Sequence, residues 1–121
     1  MVLGSRVTGN ESSGLGGGVY SSGAGSSALI ANSAISGNTA DLYGGGVGTG
    51  IYAVMTISNT TVSGNRAHLG GGVYNDGYPL VLISSTISQN TAGYLGGVAG
   101  GGLGVRMTNS IVGDNTASFS P

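Results

Sequence analysis

Apolar residues stand two apart at Ala28 and Ile30, Met55 and Ile57, Leu80 and Leu82, and Val105 and Met107, with mostly polar residues interleaved. A period of two predicts a strand with one buried face. Single aliphatics recur at Val7, Ile35, Val62, Ile87 and Val112, and three residues after each comes an asparagine: Asn10, Asn38, Asn65, Asn90 and Asn115. These asparagines lie 28, 27, 25 and 25 residues apart. One unit therefore repeats along the whole chain, the mark of a stacked architecture.

Each unit reads approximately N-[ST]-x-[IV]-[ST]-G-N-x-A. A second small polar position precedes the aliphatic, filled by Gly4, Asn32, Asn59, Ser84 and Asn109. Downstream come Leu15, Leu42, Leu69 or Leu95, then a glycine run, then Val19, Val47, Val73 or Val98. Three short strands per unit are expected: the alternating one, one centred on the aliphatic, and one after the glycines. An equivalent strand returns only after a full period, so hairpins are excluded and like strands pair in parallel. The predicted fold is all-β, a right-handed parallel β-helix of about four coils of 25–28 residues. Its single domain spans 1–121, with repeats near 1–27, 28–54, 55–79 and 80–104 and a partial one at 105–121. At a spacing of roughly 4.8 Å per coil, like residues form columns.

That geometry sorts the residues. Val7, Ile35, Val62, Ile87 and Val112, with Ile30, Ile57, Leu82 and Met107, are expected in a narrow dry core. Asn10, Asn38, Asn65, Asn90 and Asn115, with Asn32, Asn59 and Asn109, are expected as corner ladders. A stacked amide can donate and accept along the axis, and asparagine tolerates left-handed backbone.

Composition agrees with a periodic fold. There are 27 glycines, one Phe and no Trp in 121 residues, too few large side chains for an ordinary core, yet the mean hydropathy of +0.25 is not that of a disordered chain. Three arginines, no lysine and a net charge of −1 offer no basic face for nucleic acid. The absence of cysteine excludes disulfides and thiolate metal sites. No apolar run is long enough for a membrane helix, and no export signal is visible.

The units ISGNTADLYGGGV (35–47), VSGNRAHLGGGVYNDG (62–77) and STISQNTAGYLGGV (85–98) resemble the repeats of bacterial right-handed parallel β-helix surface proteins. They are also similar to the GGA[IV] and FxxN repeats of polymorphic outer-membrane, autotransporter-like adhesins. Val7, Ile35, Val62, Ile87 and Val112 stand where the adhesin pattern has phenylalanine. The resemblance covers nearly the whole chain and implies an extracellular or cell-surface scaffold.

Catalysis is not expected. Sugar chemistry needs paired carboxylates, and Asp41, Asp76, Glu11 and Asp114 fall at different offsets of the repeat. His68, near Asp41 one coil away, reads as a solvated surface histidine. No phosphate loop or GGxGxD calcium repeat occurs, so no cofactor or metal is expected. The Ser/Thr column Ser5, Ser33, Thr60, Ser85, Ser110 is regular enough to suggest an ice-binding face, but it falls at a corner. Six tyrosines cluster near the glycine corners, where they cover backbone or grip a sugar. Asn10-Glu11-Ser12 and Asn59-Thr60-Thr61 match the N-glycosylation acceptor pattern.

Val2 already stands in the Ile30 column and Ala117 still obeys the repeat, so uncapped ends are expected. The partner expected is therefore the chain itself, stacked end to end in an extracellular fibre or surface structure. The alternative is a segment of a larger adhesin that binds glycans or host surfaces.

Overall fold

A computed structural model describes residues 1–119. The first coil contains β1 (Val2–Leu3), β2 (Arg6–Thr8), β3 (Glu11–Ser12) and β4 (Val19–Ser21). The second has β5 (Ser27–Ala31), β6 (Ala34–Ser36), β7 (Thr39–Ala40) and β8 (Val47–Thr49). The third has β9 (Val54–Ser58), β10 (Thr61–Ser63), β11 (Arg66–Leu69) and β12 (Val73–Asn75). The fourth has β13 (Leu80–Ile83), β14 (Thr86–Ser88), β15 (Thr91–Tyr94) and β16 (Val98–Ala99). A last partial coil adds β17 (Val105–Thr108), β18 (Ile111–Gly113) and β19 (Thr116–Ala117). Among the described residues there is no helix.

Every strand pairs in parallel with its equivalent one coil away. The orders are β1-β5-β9-β13-β17, β2-β6-β10-β14-β18, β3-β7-β11-β15-β19 and β4-β8-β12-β16. The protein is thus an all-parallel β-solenoid of about four turns. Its registers carry the columns expected from the repeat: Val2, Ile30, Ile57, Leu82 and Met107 align, as do Val7, Ile35, Val62, Ile87 and Val112.

Four strands per coil are present, not three. The extra strand holds the residues just after the ladder asparagine, such as Thr39 and Ala40. The alanines of that strand, Ala40, Ala67 and Ala92, point inward and are buried. A two-residue strand is too short to show alternation, so only pairing reveals it.

Burial along the core columns depends on position in the stack. Ile30, Ile35, Ile57, Val62, Leu82 and Ile87 are fully buried. Val7 is half-buried, while Met107 and Val112 are exposed at 47% and 39%. These last two correct their assignment to the core. They occupy core columns, but β17 and β18 have a paired neighbour on one side only, and side chains in a solenoid are covered by the coils above and below.

The leucines before the glycines do not form the expected column. Leu15, Tyr43, Leu69 and Tyr94 align instead, and Leu42 and Leu95 lie on the surface. Consequently Leu95 occupies the place that Gly16, Gly44 and Gly70 hold in earlier coils, and it shares their left-handed backbone, with φ of 52° against 60°, 68° and 65°. An L-residue is disfavoured there by roughly 1–2 kcal/mol, partly offset by the greater unfolded-state entropy of glycine. Leu95→Gly should therefore raise stability by up to about 1 kcal/mol, read as a higher urea midpoint with unchanged slope.

The next glycine in each coil has a different cause. A Cβ at Gly17, Gly45, Gly71 or Gly96 would overlap the carbonyl oxygen of Thr39, Arg66, Thr91 or Thr116 in the adjacent coil. These glycines let successive coils approach, whatever their φ.

Candidate functional site

Two polar ladders run through the stack. In the first, the Nδ2 of Asn38 donates to Asn65 Oδ1 at 3.0 Å and to Val7 O at 2.9 Å, while its Oδ1 accepts from the backbone N and the Nδ2 of Asn10, both at 3.0 Å. Asn65 and Asn90 repeat the pattern toward Asn90 and Asn115. Each interior amide thereby uses both donors and both lone pairs. Asn38, Asn65 and Asn90 are buried, and among the described residues no buried side-chain polar atom lacks a partner.

The second ladder is made of hydroxyls. The backbone N of Ser5, Ser33, Thr60 and Ser85 donates to the hydroxyl oxygen of Ser33, Thr60, Ser85 and Ser110 respectively, at 3.1–3.2 Å. Each hydroxyl in turn donates to the carbonyl two residues earlier, as Thr60 does to Ser58 O at 2.8 Å. Ser33, Thr60 and Ser85 are buried. This column is therefore internal, and the ice-binding face considered from the sequence has no exposed hydroxyl array to rest on at these positions.

Asn32, Asn59 and Asn109 behave differently from the ladder asparagines. They are exposed and left-handed, with φ of 52°, 50° and 47°, in one column with Gly4 and Ser84. Asn59 Nδ2 donates to Asn32 Oδ1 at 2.8 Å. Their role is to turn the corner. At the other corner that task falls to the residue before each ladder asparagine: Gly9, Gly37, Gly64, Gln89 and Asp114. The two glycosylation-pattern asparagines are both exposed, and the amide nitrogens of both are engaged, Asn10 with Asn38 and Asn59 with Asn32.

Both ladders have a direction. The bonds to the ladder's side-chain oxygens all come from N–H groups of the preceding coil, so the first coil turns such acceptors outward, Ser5 Oγ and Asn10 Oδ1. The last described coil turns backbone donors outward at Ser110 and Asn115, and Asn115 Nδ2 bends to its own Gly113 O at 2.9 Å. Around those donors lie the exposed apolar residues Val105, Met107, Ile111 and Val112.

The ionisable residues are not gathered into a site of their own. Asp41, Arg66 and His68 border one shallow depression on the third sheet, and His68 sets its ring edge against Tyr94, with centroids 5.5 Å apart. Among the described residues no group of three His, Asp or Glu side chains could hold a metal ion, and no helix is long and apolar enough to cross a membrane. No protein-family model, curated protein or solved structure matches the chain.

Proposed function

We propose that this chain is a structural β-solenoid protein that assembles end to end into an extracellular fibre or surface structure. The observation that carries the reading is the direction of the ladders. The donors turned outward at Ser110 and Asn115 are those that meet hydroxyl and amide oxygens in every earlier coil. The matching oxygens, on Ser5 and Asn10, face outward at the opposite end. A second copy placed one coil spacing beyond β17, β18 and β19 would set its Val2 on Met107, its Val7 on Val112 and its Asn10 on Asn115.

Such a contact covers apolar columns now exposed and satisfies strand edges, the two features that drive edge-to-edge association. A net charge of −1 opposes it little. The extracellular placement rests on the resemblance of the repeat units to those of exported surface proteins. No chemistry is assigned to the fibre: its function is to be a scaffold.

Electron microscopy of the purified chain over a range of concentrations tests the reading. Filaments are expected, with sedimentation that depends on concentration. Val112→Lys, at a half-covered edge position the isolated fold tolerates, should shift the population to dispersed particles without loss of β-sheet signal. Dispersed particles from the unaltered chain at high concentration would overturn the proposal.

A further inference from the structure

The fourth sheet carries an aromatic surface that the ladders and the core do not explain. Tyr20 in β4 and Tyr74 in β12 are both in register with Gly48 in β8. Two parallel strand spacings, roughly 10 Å, separate the two tyrosines, and the residue between them has no side chain. A Cβ at Gly48 would stand 3.0 Å from Tyr20 Cδ2, and one at Gly50 would stand 2.5 Å from the Tyr20 hydroxyl oxygen. Tyr20 therefore lies across the second coil over two glycines. Tyr43, from the turn before β8, stacks on Tyr74 with centroids 4.6 Å apart and planes 22° off parallel.

Between them is a groove of about 260 Å³, bordered by Tyr20, Tyr43, Tyr74, Ile51 and Asp76. Asp76 and Ile51 also border a second depression of about 220 Å³ that reaches Tyr52 and Tyr78. Five of the six tyrosines thus follow one strip across the coils. We infer that this strip is a binding site for a neutral oligosaccharide, with the rings as platforms for sugar C–H faces and the phenols and Asp76 as partners for sugar hydroxyls.

The chemistry selects among ligands. An aromatic face is electron-rich and attracts polarised C–H groups, while each phenol tip both donates and accepts. Sugar hydroxyls do the same, so they can satisfy the acceptor-only Asp76 carboxylate. Burial first, then the Asp76 carboxylate and the Tyr43 and Tyr20 phenols, raise the Tyr74 pKa, keeping that hydroxyl protonated as a donor. An anionic ligand is disfavoured, since Asp76 is the charged residue of the groove and no arginine borders it. A proline-rich peptide lacks N–H groups and so offers the acceptor-only Asp76 carboxylate no donor. A quaternary ammonium group offers no hydrogen bond to Asp76 or to the phenol tips, which sugar hydroxyls supply.

The inference does not depend on assembly, because the groove is built within one copy of the chain: Tyr20 comes from the first coil, Tyr43 and Ile51 from the second, Tyr74 and Asp76 from the third. With no tryptophan, intrinsic emission comes mainly from tyrosine, so fluorescence titration reads the strip directly. Cellohexaose, maltohexaose and chitohexaose are the probes, with choline chloride and decaproline beside them. At least one sugar should give a saturable change with a Kd on the order of 1 mM or tighter. Tyr20→Ala and Tyr43→Ala should each weaken it by about tenfold or more, while Tyr94→Ala on the third sheet leaves it unchanged. Thermal melts of the three variants show that each is folded. No saturable change with any sugar, a response to choline or decaproline alone, or sugar binding retained in both groove variants would overturn the inference.

Discussion

Asn65→Ala is expected to lower the free energy of unfolding by roughly 3–5 kcal/mol, because it strips partners from two coils at once. The backbone N and Nδ2 of Asn38 lose their acceptor, Ile35 O loses a donor, and Asn90 Oδ1 loses one of its two bonds. Asn65 and Asn38 are buried, so solvent does not replace these bonds without opening the corner. A buried donor or acceptor left unmade costs about 1–3 kcal/mol each, and several are left here. Asn59→Ala removes one exposed bond and a residue suited to left-handed backbone, and about 1 kcal/mol or less is expected. Urea denaturation followed by circular dichroism separates the two. Equal losses for Asn65→Ala and Asn59→Ala would contradict the division of the corner asparagines into an internal ladder and an external turn.

That division is not written in the repeat itself. Period, parallel pairing and the aliphatic columns were legible because Ile35, Val62 and Ile87 recur at fixed offsets from a following asparagine, and one-dimensional repetition is all a solenoid needs. Two kinds of asparagine column looked alike, since both recur with the period, and only backbone conformation distinguishes them. The hydroxyl ladder is visible in the sequence as the corner column Ser33, Thr60 and Ser85, but its inward direction is not, because serine and threonine at a corner read as surface. Small hydroxyls fit inside only because the coil supplies a backbone N–H at each level. The leucine column slips where Tyr43 stands between Leu42 and the glycines, and where Leu95 replaces the first glycine of its run.

The aromatic groove was less legible still. Tyr20 and Tyr74 share an offset, and that much was countable. The stacking of Tyr43 on Tyr74 crosses offsets, and the glycine that gives Tyr20 its bed lies in another coil. Contacts between unlike positions of successive repeats are invisible to periodicity, and the candidate site is made of those.

Ile57→Asp should abolish folding at neutral pH. Ile57 is fully buried between Ile30 and Leu82 in the column that spans the stack. Removing its side chain alone forfeits roughly 2–5 kcal/mol of burial and packing. Keeping a carboxyl group in that place shifts its pKa upward by up to 3–5 units, each worth about 1.4 kcal/mol at a pH where the unfolded carboxylate is charged. Together these reach the whole stability of a typical domain, about 5–15 kcal/mol. Val62→Asp, in the other fully buried column, should behave alike. The sign of the pH dependence is diagnostic. A folded-state pKa raised above the unfolded value penalises folding fully above the raised pKa, and the penalty shrinks as pH falls toward about 4, where the unfolded group is also protonated. Some β-sheet signal should therefore return on acidification of Ile57→Asp, while Ile57→Asn shows no matching recovery from this cause. Soluble, β-rich protein from Ile57→Asp at pH 7 would mean that this column does not face the interior, and the inward assignment of the aliphatic ladders would fall with it.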